Sequence, residues 1–264
     1  MKGIILAGGT GTRLLPLTAI TSKQLLPVYD RPMIFYPLNT LLKAGITDIL
    51  IIVSPEHSGS YLNLLGSMFR KFGVHLSFVV QKSPRGLADA YILAEDFLDG
   101  EPSTLVLGDN IFEEDFTEAI QSFQSGGRIF AKEVTDPERF GVVEFGNDNK
   151  VLSIEEKPTE PKSQFAIPGV YIFDGRAIEV AKTLEPSARG ELEITDLQRF
   201  YLASGELDVR VISGAWFDTG THESLYEASA FVREKKLGEV MHPMINEAII
   251  EFNAEYKKIV SLKK

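Results

Sequence analysis

Apolar and polar positions change period several times along this chain, and the changes outline its elements. Short apolar runs rich in β-branched residues fall at 2–7, 48–53, 75–81 and 104–107, which predicts buried strands. Between them, residues 33–44, 58–72, 87–98 and 113–123 carry helical spacing. In the third of these, Ala90, Leu93, Ala94 and Phe97 sit at i, i+3, i+4 and i+7, one helical face. Strand and helix in alternation predict a mainly parallel sheet with helices on both sides. The second half reads differently. Residues 142–145, 151–156 and 170–173 follow one another across turns such as Gly146-Asn147-Asp148-Asn149, which predicts antiparallel strands. Helical spacing returns at 194–202 and over 223–236, the latter preceded by Thr221 as a candidate cap. No repeat or linker interrupts the pattern. The expected fold class is α/β: a Rossmann-like, mainly parallel mixed sheet flanked by helices, an antiparallel region in the second half, and a C-terminal helical tail. The expected division is a main domain at 1–237 and a helical extension at 238–264.

Composition narrows the classes. A chain of 264 residues buries roughly three quarters of its unfolded surface, enough for a sizeable core. Cysteine is absent, which removes disulfide scaffolds, thiolate metal sites and cysteine nucleophiles. Lys and Arg number 27 against 37 Asp and Glu, a formal net charge of −10. That balance opposes an extended footprint on nucleic acid or an anionic membrane. The apolar run at 4–7 is too short for a secretory core or for the ~20 residues of a membrane span, so a cytoplasmic location is expected. His57, His75, His222 and His242 are scattered without metal-ligand spacing, and no Ser/His/Asp set suggests itself.

The strongest local feature is Leu6-Ala7-Gly8-Gly9-Thr10-Gly11-Thr12-Arg13-Leu14, a buried strand running into three glycines and an arginine. Glycine lets backbone N–H groups approach an anion without a Cβ in the way. Arg13 adds a planar donor fork suited to phosphate oxygens. A dinucleotide fingerprint would need a small residue where Leu14 stands, and the Gly-Lys-Ser/Thr of a P-loop is missing. The bland alternative is a tight strand-to-helix turn. Asp109 follows the apolar run 104–107 and Gly108, where a strand leaves an open sheet and ligands bind. Its alternative role is a helix cap, but Asn110 with Glu113 already supplies one, which leaves Asp109 free for Mg²⁺. Asp218 has a second strand-end setting, and no spacing rule joins it to Asp109.

With these residues in view, the chain resembles the sugar-1-phosphate nucleotidyltransferases. The resemblance rests on Gly8-Gly9-x-Gly11-Thr12-Arg13-Leu14 followed by Lys23-Gln24-Leu25-Leu26-Pro27-Val28-Tyr29-Asp30-x-Pro32-Met33. Collinear matches continue at Gly108-Asp109-Asn110, Asp136-Pro137-Glu138-Arg139-Phe140-Gly141-Val142-Val143 and Glu155-Glu156-Lys157-Pro158. They end with Pro186-Ser187-Ala188-Arg189-Gly190-Glu191-Leu192-Glu193-Ile194-Thr195-Asp196 and Trp216-Phe217-Asp218-Thr219-Gly220-Thr221. Within the family the second block is similar to the thymidylyl-transferring branch. Guanylyl relatives share the glycine loop but not the blocks at Lys23 and Ser187.

The resemblance implies transfer of a thymidylyl group from dTTP to glucose-1-phosphate, giving dTDP-glucose and pyrophosphate, with Mg²⁺ as cofactor. It assigns catalytic roles to Arg13, Lys23, Asp109, Lys157 and Asp218, with Asp109 and Asp218 on the metal. Nucleotide contacts are implied for Leu6, Gly8, Gly9, Gly11, Thr12, Arg13, Lys23, Gln24, Gln81, Gly86 and Asp109. In this scheme Gln81 pairs with a pyrimidine and Gly86 leaves room for its ring. The sugar phosphate is implied to meet Gly141, Glu156, Lys157, Ile167, Tyr171 and Arg189. Any one of these positions reads equally well as packing or turn chemistry. UTP in place of dTTP, or a catalytically silent sugar-nucleotide sensor, are the competing readings. A silent relative would be expected to lack one of the five catalytic residues, and all five are present. A nicotinamide dehydrogenase is opposed by Leu14. Arg31 stands where the family often has lysine, a change that keeps the charge and is expected to matter little. After Gly238 the pattern of longer members is missing, so the resemblance leaves open whether their second, regulatory nucleotide site and tetramer packing carry over. A homo-oligomer, dimer or tetramer, is still expected, with no nucleic acid or membrane partner.

Overall fold

Ile4, Ile5 and Ala7 are all fully buried, so the first strand needs cover on both faces, and only the middle of a helix-flanked sheet provides that. The structure, a computed structural model, describes residues 1–147 and 150–262. In the first half the strands are β1 (Lys2–Ala7), β2 (Pro27–Val28), β3 (Arg31–Pro32), β4 (Asp48–Val53), β5 (His75–Val80), β6 (Ser103–Leu107) and β7 (Asn110–Phe112). The second half adds β8 (Gly127–Glu133), β9 (Gly141–Phe145), β10 (Val151–Glu156), β11 (Phe165–Ala166), β12 (Val170–Phe173), β13 (Leu207–Val211) and β14 (Trp216–Asp218). Helices are α1 (Phe35–Lys43), α2 (Ser58–Leu65), α3 (Asp89–Leu93), α4 (Glu95–Leu98), α5 (Thr117–Gln121), α6 (Ala177–Thr183), α7 (Ile194–Ala203), α8 (His222–Lys235) and α9 (Pro243–Leu262).

The main sheet runs in the order β10-β9-β11-β8-β12-β6-β1-β4-β5, with β13 also paired to β8. The block β6-β1-β4-β5 is parallel, and β12 joins it antiparallel to β6. β9 and β10 are antiparallel, as their turn-separated runs predict, although Asp148 and Asn149 of that turn lie outside the described residues. Alternate residues of the central strands feed two cores. Ile5, Ala7, Ile49 and Ile51 face one side, together with residues of α1, α2, α8 and α9. Ile4, Leu6, Leu50 and Ile52 face the other, with α3, α6 and α7. The tail is helical, and its Ile245 and Ala248 are buried in the first of these cores.

Three predicted helices differ from the structure. The helix expected over 58–72 stops at Leu65, and the chain resumes only as a short 3₁₀ turn at Arg70–Phe72. The one expected over 87–98 is two short helices, and its buried face is Ala90, Tyr91, Ala94 and Leu98 rather than the predicted set. Leu93 and Phe97 are only half-buried. Over 113–123 the helix is confined to α5, because Asn110–Phe112 is claimed by a ladder with β14. Asn110 is therefore not a helix cap. The Thr117 N–H instead donates to the Asp115 carboxylate at 2.9 Å. Thr221 does cap α8, in a reciprocal pair with Ser224.

Candidate active site

Strands β1, β4, β5 and β6 run the same way, and the loops leaving their C-terminal ends build the site. After β1 the backbone turns through Gly9 at φ +105° and Gly11 at φ +59°, values that favour glycine. The turn is closed on the Gly11 carbonyl, which accepts from the Leu14 N–H at 2.9 Å and the Thr18 hydroxyl at 2.8 Å. Leu14 is consequently buried, while Thr12 and Arg13 stay exposed. A cleft of about 340 Å³ opens between Gly9 and Thr10 of this loop, residues 54–57 after β4, and residues 81–84 after β5. Gln81 lines it.

Beneath the loop Gln24 is buried, its carbonyl oxygen accepting from the Ser22 hydroxyl at 2.7 Å and the Tyr61 hydroxyl at 3.2 Å. Gly108 donates its N–H to the Leu6 carbonyl at 2.9 Å. A Cβ at Gly108 would lie 2.9 Å from Gln24 Cγ, so Leu6, Gln24 and Gly108 form one floor. Gly86 has φ +105°, and the space a Cβ would take is filled by the Leu192 carbonyl at 2.4 Å. The glycine there is required by that close approach of two backbone segments.

β14 returns antiparallel to β7 with Asp218 opposite Asn110, which places Asp218 beside Asp109. Thr219 secures the junction, its N–H and hydroxyl both donating to the Asp109 carbonyl at 3.1 and 2.7 Å. Asn110 donates from Nδ2 to Asp109 Oδ1 at 2.9 Å. Its own Oδ1 accepts from the Gly169 N–H at 3.0 Å and the Trp216 indole at 2.7 Å. The Lys23 ammonium pairs with the remaining Asp109 oxygen. Burial pushes the Asp109 carboxyl up, but the Lys23 charge and hydrogen bond and the Asn110 amide outweigh it and hold it below the usual range. Asp218 moves the other way. Burial and then the Asp109 charge raise it, and Lys23, Arg13 and Arg139 only partly offset them.

These two carboxylates share one electrostatic site, which is the test a divalent cation must meet. Among the described residues no group of three or more acidic or imidazole side chains could cage a metal unaided. Mg²⁺ does not need one, since it commonly takes one or two carboxylates and completes its shell with water and phosphate oxygens. Asp109 and Asp218 fit such an ion.

Beside Asp218 lies a second cavity of about 210 Å³, lined by Arg13, Gly141, Glu156, Lys157, Ile167 and Tyr171 among others. Arg13 reaches it over Gly220, where a Cβ would fall 2.5 Å from Arg13 Nη2. Lys157 follows β10 with φ +43°, and its ammonium is 3.8 Å from Glu156. Burial raises the Glu156 carboxyl, Glu193 adds to the rise, and Lys157 and Arg189 oppose it. Arg189 is not among the residues lining the cavity. Its guanidinium is held by Glu193 at 2.7 Å and by Glu156 and Glu191 at 3.3 Å each.

Sequence reasoning missed Asn110, Arg139, Thr195, Gln198 and Trp216, all of which line this cavity. Gln198 is fully buried, and neither of its amide atoms has a hydrogen-bond partner. A signal existed for it. Thr195 and Gln198 are polar residues one turn apart beside the buried Ile194, Leu197 and Tyr201 of α7.

An edge that gathers glycine-loop amides, cations and a carboxylate pair is suited to polyanions. Among open α/β sheets that points to nucleotide-handling transferases. Comparison with known proteins narrows the class. The model of the nucleotidyl transferase family matches residues 2–235, and the chain belongs to that family. It is 55% identical over 239 residues to the glucose-1-phosphate thymidylyltransferase of Neisseria meningitidis serogroup A, covering 88% of this chain and 83% of that protein. The enzyme of the same name from Mycolicibacterium smegmatis is 50% identical over 242 residues, covering 90% of this chain and 84% of its own length. A crystal structure from Bacillus anthracis, assigned as a glucose-1-phosphate thymidylyltransferase and bound to a sucrose, superposes with a TM-score of 0.84 at 47% identity. That match covers 88% of this chain and 95% of the other. The chain is thus a nucleotidyltransferase on a Rossmann-like mixed sheet.

Proposed function

We infer that this chain transfers a thymidylyl group from dTTP to glucose-1-phosphate, releasing dTDP-glucose and pyrophosphate. The observation that carries this is the carboxylate pair Asp109 and Asp218, which the β7–β14 ladder sets side by side with Lys23 on Asp109, and with Asp218 and Arg13 in the wall of the second cavity. The likeness to curated enzymes of that name supports it.

A phosphate oxygen of the sugar-1-phosphate attacks the α-phosphorus. The bond from that phosphorus to the bridging oxygen breaks, and its electron pair leaves on pyrophosphate. The nucleophile is already an anion, so no general base is required. Two polyanions must meet, and the first task is to cancel charge. The N–H groups of Gly8, Gly9 and Gly11 with the hydroxyl of Thr12 receive the leaving phosphates, and Arg13 spans the reacting centre. Lys23 balances charge at the α-phosphate and gives up part of its contact with Asp109. Leu6, Gln24, Gln81 and Gly86 hold the nucleoside. Lys157 binds the sugar phosphate, Glu156 accepts from sugar hydroxyls, and Gly141, Ile167 and Tyr171 form the wall, with Arg189 at its rim. Asp109 and Asp218 would hold Mg²⁺, which would supply charge neutralisation at the transferring phosphate. Alignment of the two substrates can supply roughly 7–11 kcal/mol of barrier lowering.

UTP is the second reading, since Gln81 faces the ring edge that uracil and thymine share. The main domain is 1–237 with its extension at 238–264, the assembly is a homo-oligomer, and the reaction belongs to the cytoplasm. Among the described residues no helix is long and apolar enough to cross a membrane. Pyrophosphate release with dTTP, UTP, GTP, CTP and ATP against glucose-1-phosphate, with and without Mg²⁺, tests the reading. Release is expected with dTTP and Mg²⁺ and is lost on chelation. No release under any condition removes it.

A further inference from the structure

Gln81 leaves the end of β5 and is almost wholly buried, at 7% exposure. Its Nε2 donates to Asp89 Oδ2 at 2.9 Å, and Asp89 is itself only 3% exposed. An ionised carboxylate only accepts, so the opposite orientation of the amide would set oxygen against oxygen. Arg85 Nη1 stands 3.6 Å from the other Asp89 oxygen. The amide of Gln81 is therefore locked. Its carbonyl oxygen lies over the glycine loop, where a Cβ on Gly8 would come within 2.9 Å of it. Asp89 sits in the first turn of α3, lines neither cavity, and has no part in the phosphate or sugar chemistry described above.

We propose that Asp89 is a positioning residue that sets the class of base the enzyme accepts. By keeping the Gln81 nitrogen turned toward itself, it presents the Gln81 oxygen as a fixed acceptor at the nucleotide cleft. That oxygen accepts from the ring N3–H of thymine or uracil and repels the N3 lone pair of cytosine. Asp89 does not separate dTTP from UTP, which offer the same ring N–H. The proposal rests on the nucleotide cleft assigned above.

Titration calorimetry of the full chain and of Asp89→Asn with dTTP, UTP and dCTP tests it, with melting temperatures measured alongside. The unmodified chain is expected to hold dCTP about tenfold or more weaker than dTTP. Asparagine donates as well as accepts, so the Gln81 amide becomes free to turn. In Asp89→Asn the dTTP-to-dCTP ratio is expected to shrink about tenfold, with dTTP weakened and dCTP strengthened. The same substitution made in Gln81→Leu should change the ratio no further, because Asp89 acts only through Gln81. An equal loss for all three nucleotides with a lowered melting temperature shows a structural role and overturns the proposal, as does an unchanged ratio. Should Asp89→Asn not fold, Asp89→Ser takes its place in the same comparison with the same outcomes, and dCTP bound as tightly as dTTP by the unmodified chain overturns the assignment outright. Pyrophosphate release by the unmodified chain separates the two levels. No nucleotide binding and no release end the transferase reading and this one with it, whereas release with an unaltered base ratio in Asp89→Asn ends only the role of Asp89.

Discussion

Asp109 is held by three groups at once: Lys23 on one oxygen, the Asn110 amide on the other, and Thr219 on its carbonyl. Replacing its carboxylate by an amide keeps the shape and removes the charge that a cation needs. For Asp109→Asn we expect turnover to fall by about a thousandfold. Lys23 loses its ionic partner, so stability should drop by about 1–3 kcal/mol, with the fold retained. Rates of pyrophosphate release and a thermal melt check both, and a rate within about tenfold of the unmodified chain would remove the metal from Asp109. Asp109 was legible in sequence because a short apolar run ends in Gly108-Asp109, and strand ends are where open sheets bind. Asp218 was not legible as its partner, since the pairing depends on a two-stranded ladder between segments more than a hundred residues apart. Asn110 was misread for the same reason. A polar residue before an acidic stretch looks like a cap until a distant strand claims its backbone.

At the level of elements, helices that bury one simple face were read correctly, and those interrupted by long-range partners were not. α1, α7 and α8 fall within a residue or two of the spans predicted for them. Residues 113–115 carry helical spacing, yet the Glu113 and Glu114 carboxylates accept from backbone N–H groups of residues 213–215. The β2–β3 hairpin shows a similar effect. Arg31 keeps the charge of the lysine common in the family, and on that basis the exchange should matter little. The structure corrects this expectation. Nη1 donates to the Gly238 carbonyl at 3.2 Å and to Asn246 Oδ1 at 3.1 Å, while Nε and Nη2 both bond Asp30 at 2.8 Å. A lysine offers one point charge and no fork. Arg31→Lys should therefore loosen α9, costing about 1–2 kcal/mol and speeding amide exchange there about tenfold. Exchange rates across residues 243–262 that do not change would show that the guanidinium does not dock the helix.

Over the whole molecule, a net charge of −10 repels the anions it must bind. On the proposed reading attraction is local, from Arg13, Lys23, Lys157 and the glycine-loop amides, set against carboxylates that lie mostly on the solvated surface. The C-terminal helix is part of this packing: its Ile245 and Ala248 are buried in the same core as Ile5 of the first strand, as is Met241 just before it. The helix leaves Ile250 at 68% and Tyr256 at 60% exposed, and α8 leaves Tyr226 at 70%. Covered apolar area of this kind stabilises self-association. Sedimentation at micromolar concentration should show a dimer or larger species, and a monomer throughout would refute the oligomer.

The amino-acid sequence determined what local physics can carry. Strand-length apolar runs, a glycine turn that no other residue type suits, and the alternation of periods were enough to specify a doubly wound sheet and the edge where the candidate site lies. Only the tertiary structure decided which groups meet there. The Asp109–Asp218 pair, the sugar-side cavity with Gln198, the Arg31 clasp on α9 and the Asp89 lock on Gln81 all depend on side chains from separate elements converging. Most join segments far apart in sequence, and such contacts leave no period in the chain, because their register is set by the packing of whole elements and not by their neighbours.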